Sequence, residues 1–431
     1  MSLRTSPQQL QRELGVVGAT VMGLGSIIGT GVFVSIGIAA GIAGNAVVLA
    51  VVVGALVATC NGLNSAQLAA SHPVSGGSYE YGYRYLNSWL GFTAGWMFLL
   101  AKTASAATAA LGFAGYLLNA MGLRGSSLLI PLALASVVIL TGIVLSGIRR
   151  SNVANILIVS VSVLSLIFFI GAGTPFVLAS GAEHFTPFFK SSIGSVFHAS
   201  ALMFVAYTGY GRIATLGEEA KEPRKTIPKA IIITMILTML LYVVVAVVAV
   251  GSVGAEVLGE SVSLGQAAPL EVVVRRLGVL GGSQILAVGA IAAMLGVLLN
   301  LILGLSRVLL AMGRRHDMPR IFALVNESQT TPVPATIAIG IAIAVLVLIG
   351  NVKTTWSFSA FTVLIYYAIT NLAAFCLPPN ERLYPKWVSL VGLLACLFLA
   401  FWVEPFIWHL GLALIAAGLI WHIVANKLVN E

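Results

Sequence analysis

Three groups of residues hold the chemistry open to this chain. The first is Gly23-Leu24-Gly25-Ser26-Ile27-Ile28-Gly29-Thr30-Gly31-Val32-Phe33, with four glycines in nine residues. The second is Val205-Ala206-Tyr207-Thr208-Gly209-Tyr210-Gly211-Arg212. Each lies in an apolar segment long enough to cross a bilayer, and glycine at that density denies it a continuous helix. In hydrocarbon, backbone groups freed from a helix survive only where they are packed in protein or line a cavity. A half-helix with its amino end at such a cavity presents unpaired N–H groups and a positive dipole end, which suit a carboxylate. The carbonyl ends of the opposing half-helices suit an ammonium. The third group is one residue, Lys102 in Leu99-Leu100-Ala101-Lys102-Thr103-Ala104-Ser105, about halfway along another apolar span. A charge at that depth costs roughly 3 kcal/mol on insertion scales, which makes it a candidate functional residue, the plainer reading being a stem that snorkels along a neighbour and a head that pairs with backbone carbonyls.

The elements that carry these residues follow from composition. With 59% hydrophobic and 9% charged residues over 431, and a mean hydropathy of +1.01, the chain has more apolar surface than a soluble core could hide. It reads as an all-α integral membrane protein. Roughly 20 apolar residues cross a bilayer as a helix. Twelve such segments are expected, at 16–42, 45–69, 89–120, 126–148, 152–173, 192–217, 228–251, 279–311, 332–350, 355–377, 386–403 and 405–426. That leaves no room for a soluble domain, and the first segment runs too long for a cleaved signal peptide.

The net charge of +9 is a matter of orientation, not of nucleic-acid binding. With the amino terminus placed in the cytoplasm, the inner loops and tails hold sixteen Lys and Arg against five outside, from Arg4 and Arg12 to Lys427. This fits the positive-inside rule, with both termini cytoplasmic. Cys60, Cys376 and Cys396 fall in apolar spans without metal-ligand spacing and read as small buried hydrophobes. No cofactor motif, paired intramembrane carboxylates, His-Glu-x-x-His or Gly-x-Ser-x-Gly arrangement is present, so an enzyme is not expected.

The two glycine-rich segments are spans one and six, corresponding members of two five-span halves. Matching interruptions in two halves point to a transporter with inverted repeats and a midplane site. The other motifs have plainer readings. The tyrosines of His72 to Arg84 suit an interfacial belt. His198 reads as a packing residue, and Glu256 to Arg276 as an outer amphipathic helix.

The motifs Gly-Ser-Ile-Ile-Gly-Thr-Gly-Val-Phe at 25–33, Pro-Val-Ser-Gly-Gly-Ser-Tyr at 73–79, Tyr-Thr-Gly-Tyr at 207–210 and Gly-Glu-Glu-Ala-Lys-Glu-Pro-Arg-Lys-Thr-Ile-Pro-Lys-Ala at 217–230 together resemble the amino acid–polyamine–organocation (APC) superfamily. Ser306-Arg307, Ala311-Met312 and Asp317-Met318-Pro319 close span eight in the same manner. The resemblance implies a leucine-transporter-like fold. Its two inverted five-helix repeats would fall at 15–173 and 191–377, with two extra helices at 386–426 between short tails at 1–14 and 427–431. Helices 1 and 6 would be discontinuous. It implies an amino acid substrate, with Thr30 and Gly31 offering amides to its carboxylate and the carbonyls of Ile27, Val205 and Thr208 accepting from its amino group. Gly29, Gly31 and Gly209 would keep the backbone bare, and the side-chain pocket would lie between spans one, three, six, eight and ten.

Two positions depart from the superfamily. Val205 stands where many relatives have an aromatic lid, leaving Phe204 or Tyr207 as substitutes. Ser160-Val161-Ser162 occupies the neighbourhood of a span-five lysine that replaces sodium in relatives. Lys102 is the expected coupling cation in its stead. From Ile285 to Leu305 span eight has no Ser or Thr to complete a sodium site, and hard cations want several oxygens. Arg212, with Glu218 or Glu219, is expected in a cytoplasmic gate or as a snorkelling cation.

The sequence thus predicts a secondary active carrier of the cell (inner) membrane that works by alternating access, a proton symporter of neutral amino acids. A sodium-independent exchanger, a cationic amino acid or polyamine carrier, and, from a different class, a channel stay open. So do the monomeric and homodimeric states.

Overall fold

Long helical runs that are apolar on every side bury themselves only against other helices or lipid. The computed structural model describes residues 14–73, 76–123, 126–146, 152–180, 182–189, 191–214, 220–263, 267–325 and 331–430. Among them the chain is helical, and β-structure is confined to a single bridge between Leu14 and Ala220. In order come α1 (Val16–Ile27), α2 (Ile36–Ala43), α3 (Val47–Ser71), α4 (Ser78–Tyr85), α5 (Ser88–Ala120), α6 (Leu129–Leu145), α7 (Asn152–Ser180) and α8 (Ile193–Tyr207). The four-residue α9 (Gly211–Ala214), α10 (Pro223–Val253), α11 (Ala255–Ser263), α12 (Pro269–Arg276) and α13 (Gly282–Arg314) follow. The chain closes with α14 (Val333–Val347), α15 (Val352–Phe375), α16 (Lys386–Ala400) and α17 (Pro405–Asn430).

Seven helical segments are apolar and long enough to cross a membrane by length and composition, and α6, α14 and α16 are shorter apolar helices. The first of the seven, Val16–Ser71, is 56 residues long, room for two crossings. Side-chain caps start α5 and α15. Asn87 Oδ1 accepts from the Leu90 N–H at 2.9 Å, and Asn351 Oδ1 from the Thr354 N–H at 3.1 Å.

The innermost helices are α5 and α15, which are mostly buried, whereas most residues of α7 and α17 are half-buried or exposed, as in lipid-facing helices. Paired hydroxyls join α5 to α15. Ser105 Oγ lies 2.7 Å from Ser359 Oγ, and Thr108 Oγ1 donates to Thr355 Oγ1 at 2.8 Å. A buried amide network ties α15 to α3 and α16. Asn64 Nδ2 donates to Asn371 Oδ1 at 2.7 Å, Asn371 Nδ2 to Asn61 Oδ1 at 2.8 Å, and Ser389 Oγ to Asn64 Oδ1 at 2.8 Å. Neighbouring polar groups satisfy one another inside an apolar bundle, which fixes the register of the three helices.

Three expectations need correction. Of the three cysteines read as buried, Cys396 is buried, Cys60 is half-buried and Cys376 is exposed. The tyrosine-rich run after span two is a helix, α4, and not an interfacial belt: Tyr79 and Tyr81 are 1% exposed. Gly77, with φ of 56°, makes the left-handed turn that starts it. The outer amphipathic stretch is two helices, α11 and α12, on either side of residues 264–266, with Pro269 opening the second.

Candidate functional site

Both glycine-rich segments are interrupted, each more locally than the glycine count predicts. The first helix ends at Ile27, Ile28 is extended (φ −72°, ψ 105°), and the chain winds again as a π-helical turn at Gly31–Ser35 before α2. A helix restarting here leaves its first N–H groups without intrahelical partners. The second interruption is a 3₁₀ turn at Thr208–Tyr210 between α8 and α9.

The glycines divide by role. Gly23 and Gly25 lie within α1 and serve packing: a Cβ at Gly23 would stand 2.9 Å from Thr234 Oγ1, and one at Gly25 2.5 Å from Asn155 Oδ1. At the break itself, a Cβ on Gly29 would meet Val297 Cγ2 at 2.6 Å, and one on Gly31 would meet Ala206 Cβ at 2.7 Å. The bare positions therefore let span one nest against spans six and eight. Sequence reasoning assigned them to ligand approach instead. A Cβ on Gly209 would overlap the Ser26 carbonyl, so the two interruptions touch backbone to backbone.

A cavity of about 270 Å³ opens where they meet. Its wall takes Ser26, Ile27, Thr30 and Gly31 from span one, Phe98, Lys102 and Ser105 from α5, and Val205, Thr208, Gly209 and Arg212 from span six. From α13 come Val297, Asn300 and Arg307, and from α15 Trp356, Tyr366 and Tyr367. The cavity extends toward α4, which adds Tyr79 and Tyr81. Among the described residues no Asp or Glu lines it.

The polar groups at its centre have these partners. Lys102 Nζ donates to Thr208 Oγ1 at 3.0 Å, and that hydroxyl donates to the Val205 carbonyl at 2.8 Å. The Ile27 carbonyl accepts from the Tyr242 hydroxyl at 2.7 Å, and the Thr208 carbonyl from Tyr367 at 3.4 Å. The Val205 carbonyl also accepts from the Thr208 N–H and the Thr208 carbonyl from the Gly211 N–H, so of the three carbonyls assigned to the substrate amine it is Ile27, with one acceptor bond, that keeps a lone pair for a ligand. Thr30 Oγ1 is buried, has no hydrogen-bond partner and lines the cavity. Buried hydroxyls are normally satisfied, and a ligand acceptor is the natural partner for one at a cavity wall.

Phe204 and Tyr207, expected near the lid, do not line the cavity. Phe204 packs edge-on against Tyr367, and Tyr207 against Tyr242. Arg212 lines the cavity in the first turn of α9, whereas Glu218 and Glu219 lie outside the described residues. His198 is not isolated: Nε2 stands 3.3 Å from Glu404 Oε2, and Lys353 Nζ 3.3 Å from Oε1.

Sequence reasoning missed Phe98, Trp356, Tyr366 and Tyr367, since aromatic residues in apolar spans look alike until packing separates them. It also missed the cluster that holds α4. Asp317, 3% exposed, accepts from the Tyr79 hydroxyl at 2.6 Å and the Tyr83 hydroxyl at 2.7 Å, and lies 3.2 Å from His422 Nδ1 on α17. Burial and this carboxylate push both phenols far above their ordinary range, so they remain donors. Arg315 completes the cluster, paired with Glu80 at 2.8 Å and lying over the Tyr83 ring.

Known proteins are similar to this chain in sequence over most of its length. The amino acid permease family model matches residues 18–426. An uncharacterized transporter of Mycobacterium bovis is 37% identical over 96% of this chain and 90% of its own length. A branched-chain amino acid permease of Bacillus subtilis is 30% identical over 76% of this chain and 73% of its own. A mitochondrial cationic amino acid transporter of Arabidopsis thaliana is 26% identical over 88% and 65%. With two interrupted helices meeting at a buried cavity and a family match over these residues, the chain belongs to the amino acid permease family, within the APC superfamily, and is a multi-pass membrane protein.

Proposed function

We propose that the protein is a secondary active carrier that moves neutral amino acids across the cell membrane by alternating access, in symport with protons. Twelve crossings, two inverted five-helix repeats and cytoplasmic termini complete the reading. The distribution of Lys and Arg between the loops supports that orientation.

The observation that carries the proposal is the contact between the two interruptions at a cavity bearing an unpartnered Thr30 hydroxyl. N–H groups at Thr30 and Gly31 and the hydroxyl of Thr30 receive the substrate carboxylate. The carbonyl of Ile27 receives the ammonium. Lys102, touching Thr208, reports its protonation directly to the span-six break. A zwitterion suits this site better than a cationic substrate, because Lys102 lines the cavity and no described carboxylate does. Sodium is disfavoured by the lack of hydroxyls between Ile285 and Leu305.

Uptake of a labelled amino acid panel into proteoliposomes under an imposed proton gradient, sodium gradient or none tests this reading. Accumulation of neutral amino acids driven by protons alone is the expected result. Sodium-driven uptake, or a clear preference for lysine and arginine, overturns it.

A further inference from the structure

The cavity has one large side chain at the end away from α4. The helices α5, α13 and α15 meet α4 through Gly91, Arg315 and Thr370, and the lining residue farthest along each from that contact is Ser105, Val297 or Trp356, while Gly31 and Val205 line the cavity from the two interruptions. Four of these are small or branched, and the fifth is an indole. Trp356 is 3% exposed, and its Nε1–H crosses from α15 to α8 to donate to the Leu202 carbonyl at 3.0 Å. Leu202 is three residues before Val205, so the indole is pinned beside the valine that faces the substrate space. Behind it, the Thr108 to Thr355 hydroxyl pair closes the seam between α5 and α15.

From this geometry we infer that Trp356 is the lid and the size filter of the substrate site. The inference rests on the carrier reading above and names the side-chain class: small and branched aliphatic side chains, such as those of alanine and leucine, with aromatic ones excluded. The indole occupies the space next to the interruptions that a larger side chain would need. Its hydrogen bond to a main-chain carbonyl fixes the ring plane without drawing on a side chain that the substrate contacts. The same bond joins α15 to α8, so separating these helices at the outer end withdraws the lid. A pocket discriminates by fit, and filling or vacating the volume of a few methylenes alters preference by about 10- to 200-fold.

The test is counterflow of labelled L-alanine, L-leucine and L-phenylalanine in proteoliposomes holding wild type, Trp356→Leu or Trp356→Phe. Wild type is expected to exchange alanine and leucine and to exclude phenylalanine. In Trp356→Leu the phenylalanine-to-alanine ratio should rise at least 10-fold. Trp356→Phe keeps a ring in the space and should keep the exclusion. Adding Val205→Phe to Trp356→Leu refills the space from the opposite wall and should restore it. A uniform fall in all three probes with unchanged ranking, as a purely structural tryptophan would give, overturns the inference. So does a wild type that exchanges phenylalanine as readily as alanine. If Trp356→Leu does not fold, Trp356→Met is judged by the same ranking. Wild type that exchanges none of the three refutes the carrier reading itself, whereas normal wild-type exchange with an indifferent Trp356→Leu refutes the lid alone.

Discussion

Lys102 Nζ donates to Thr208 Oγ1 at 3.0 Å, so the buried cation of α5 touches the residue at which span six leaves its helix. Among the described residues no carboxylate pairs with it, and a charge at that depth without a counter-ion persists where it serves a function. Replacing it with a side chain of similar length and no charge separates coupling from binding. Lys102→Met should abolish pH-driven accumulation while leaving part of the exchange activity. Uptake against an imposed proton gradient, compared with counterflow at equal pH, measures both, and unchanged pH dependence would remove Lys102 from the coupling role.

Gly209 rests on the Ser26 carbonyl, and a methyl group there would also stand 2.7 Å from Ile27 Cγ1. The obstacle is main chain, which gives way only by moving the break of span one. Gly209→Ala should therefore lower the initial uptake rate at least 10-fold, while purified protein elutes as wild type does. Normal uptake by this variant would mean that the two interruptions need not touch.

The Glu404 carboxyl tests which group titrates. Burial raises its pKa, but the His198 imidazole at 3.3 Å and the Ser357 hydroxyl outweigh burial and hold it down at about 2. A folded value below the unfolded one, about 4.3, gives stability that is complete above about pH 5 and lost as pH falls toward 2. Glu404→Gln should leave the pH profile of uptake unchanged between about pH 5 and 8 and flatten the loss of thermal stability below about pH 4. A shifted uptake profile would make Glu404, and not Lys102 alone, part of coupling.

Asn371 bonds to both Asn61 and Asn64, and all three are buried. Asn371→Leu leaves two amides of α3 without these partners and should cost about 1–3 kcal/mol. A lowered melting temperature in detergent checks this. The loss should be smaller in Asn371→Gln, which keeps the amide.

Much of the site was legible because membrane burial makes polar and glycine residues conspicuous. Gly29, Thr30 and Gly31, the turn at Thr208 and Gly209, and Lys102 all stood out against apolar sequence, and all line or border one cavity. Glycine count alone overstated the breaks, since Gly23 and Gly25 are helical and make room for Thr234 and Asn155. Trp356 was hidden for the opposite reason: an indole in an apolar span has no local signature, and its role depends on which helix it faces. The asparagines of α3 and α15 lie more than 300 residues apart, a pairing no local pattern reveals. Separations of 238 and 234 residues likewise concealed the link from Asp317 to Tyr79 and Tyr83, which, with His422, holds α4 at the cavity.

Counterflow bears most directly on the carrier. Proteoliposomes loaded with unlabelled L-alanine are diluted into a trace of labelled L-alanine with no ion gradient. A binding site exposed alternately to the two sides should give a transient accumulation of label above its equilibrium level, saturating with external substrate. Label that enters without overshoot, at a rate linear in concentration and indifferent to preloading, would mean an open pore and would contradict alternating access at the two broken helices.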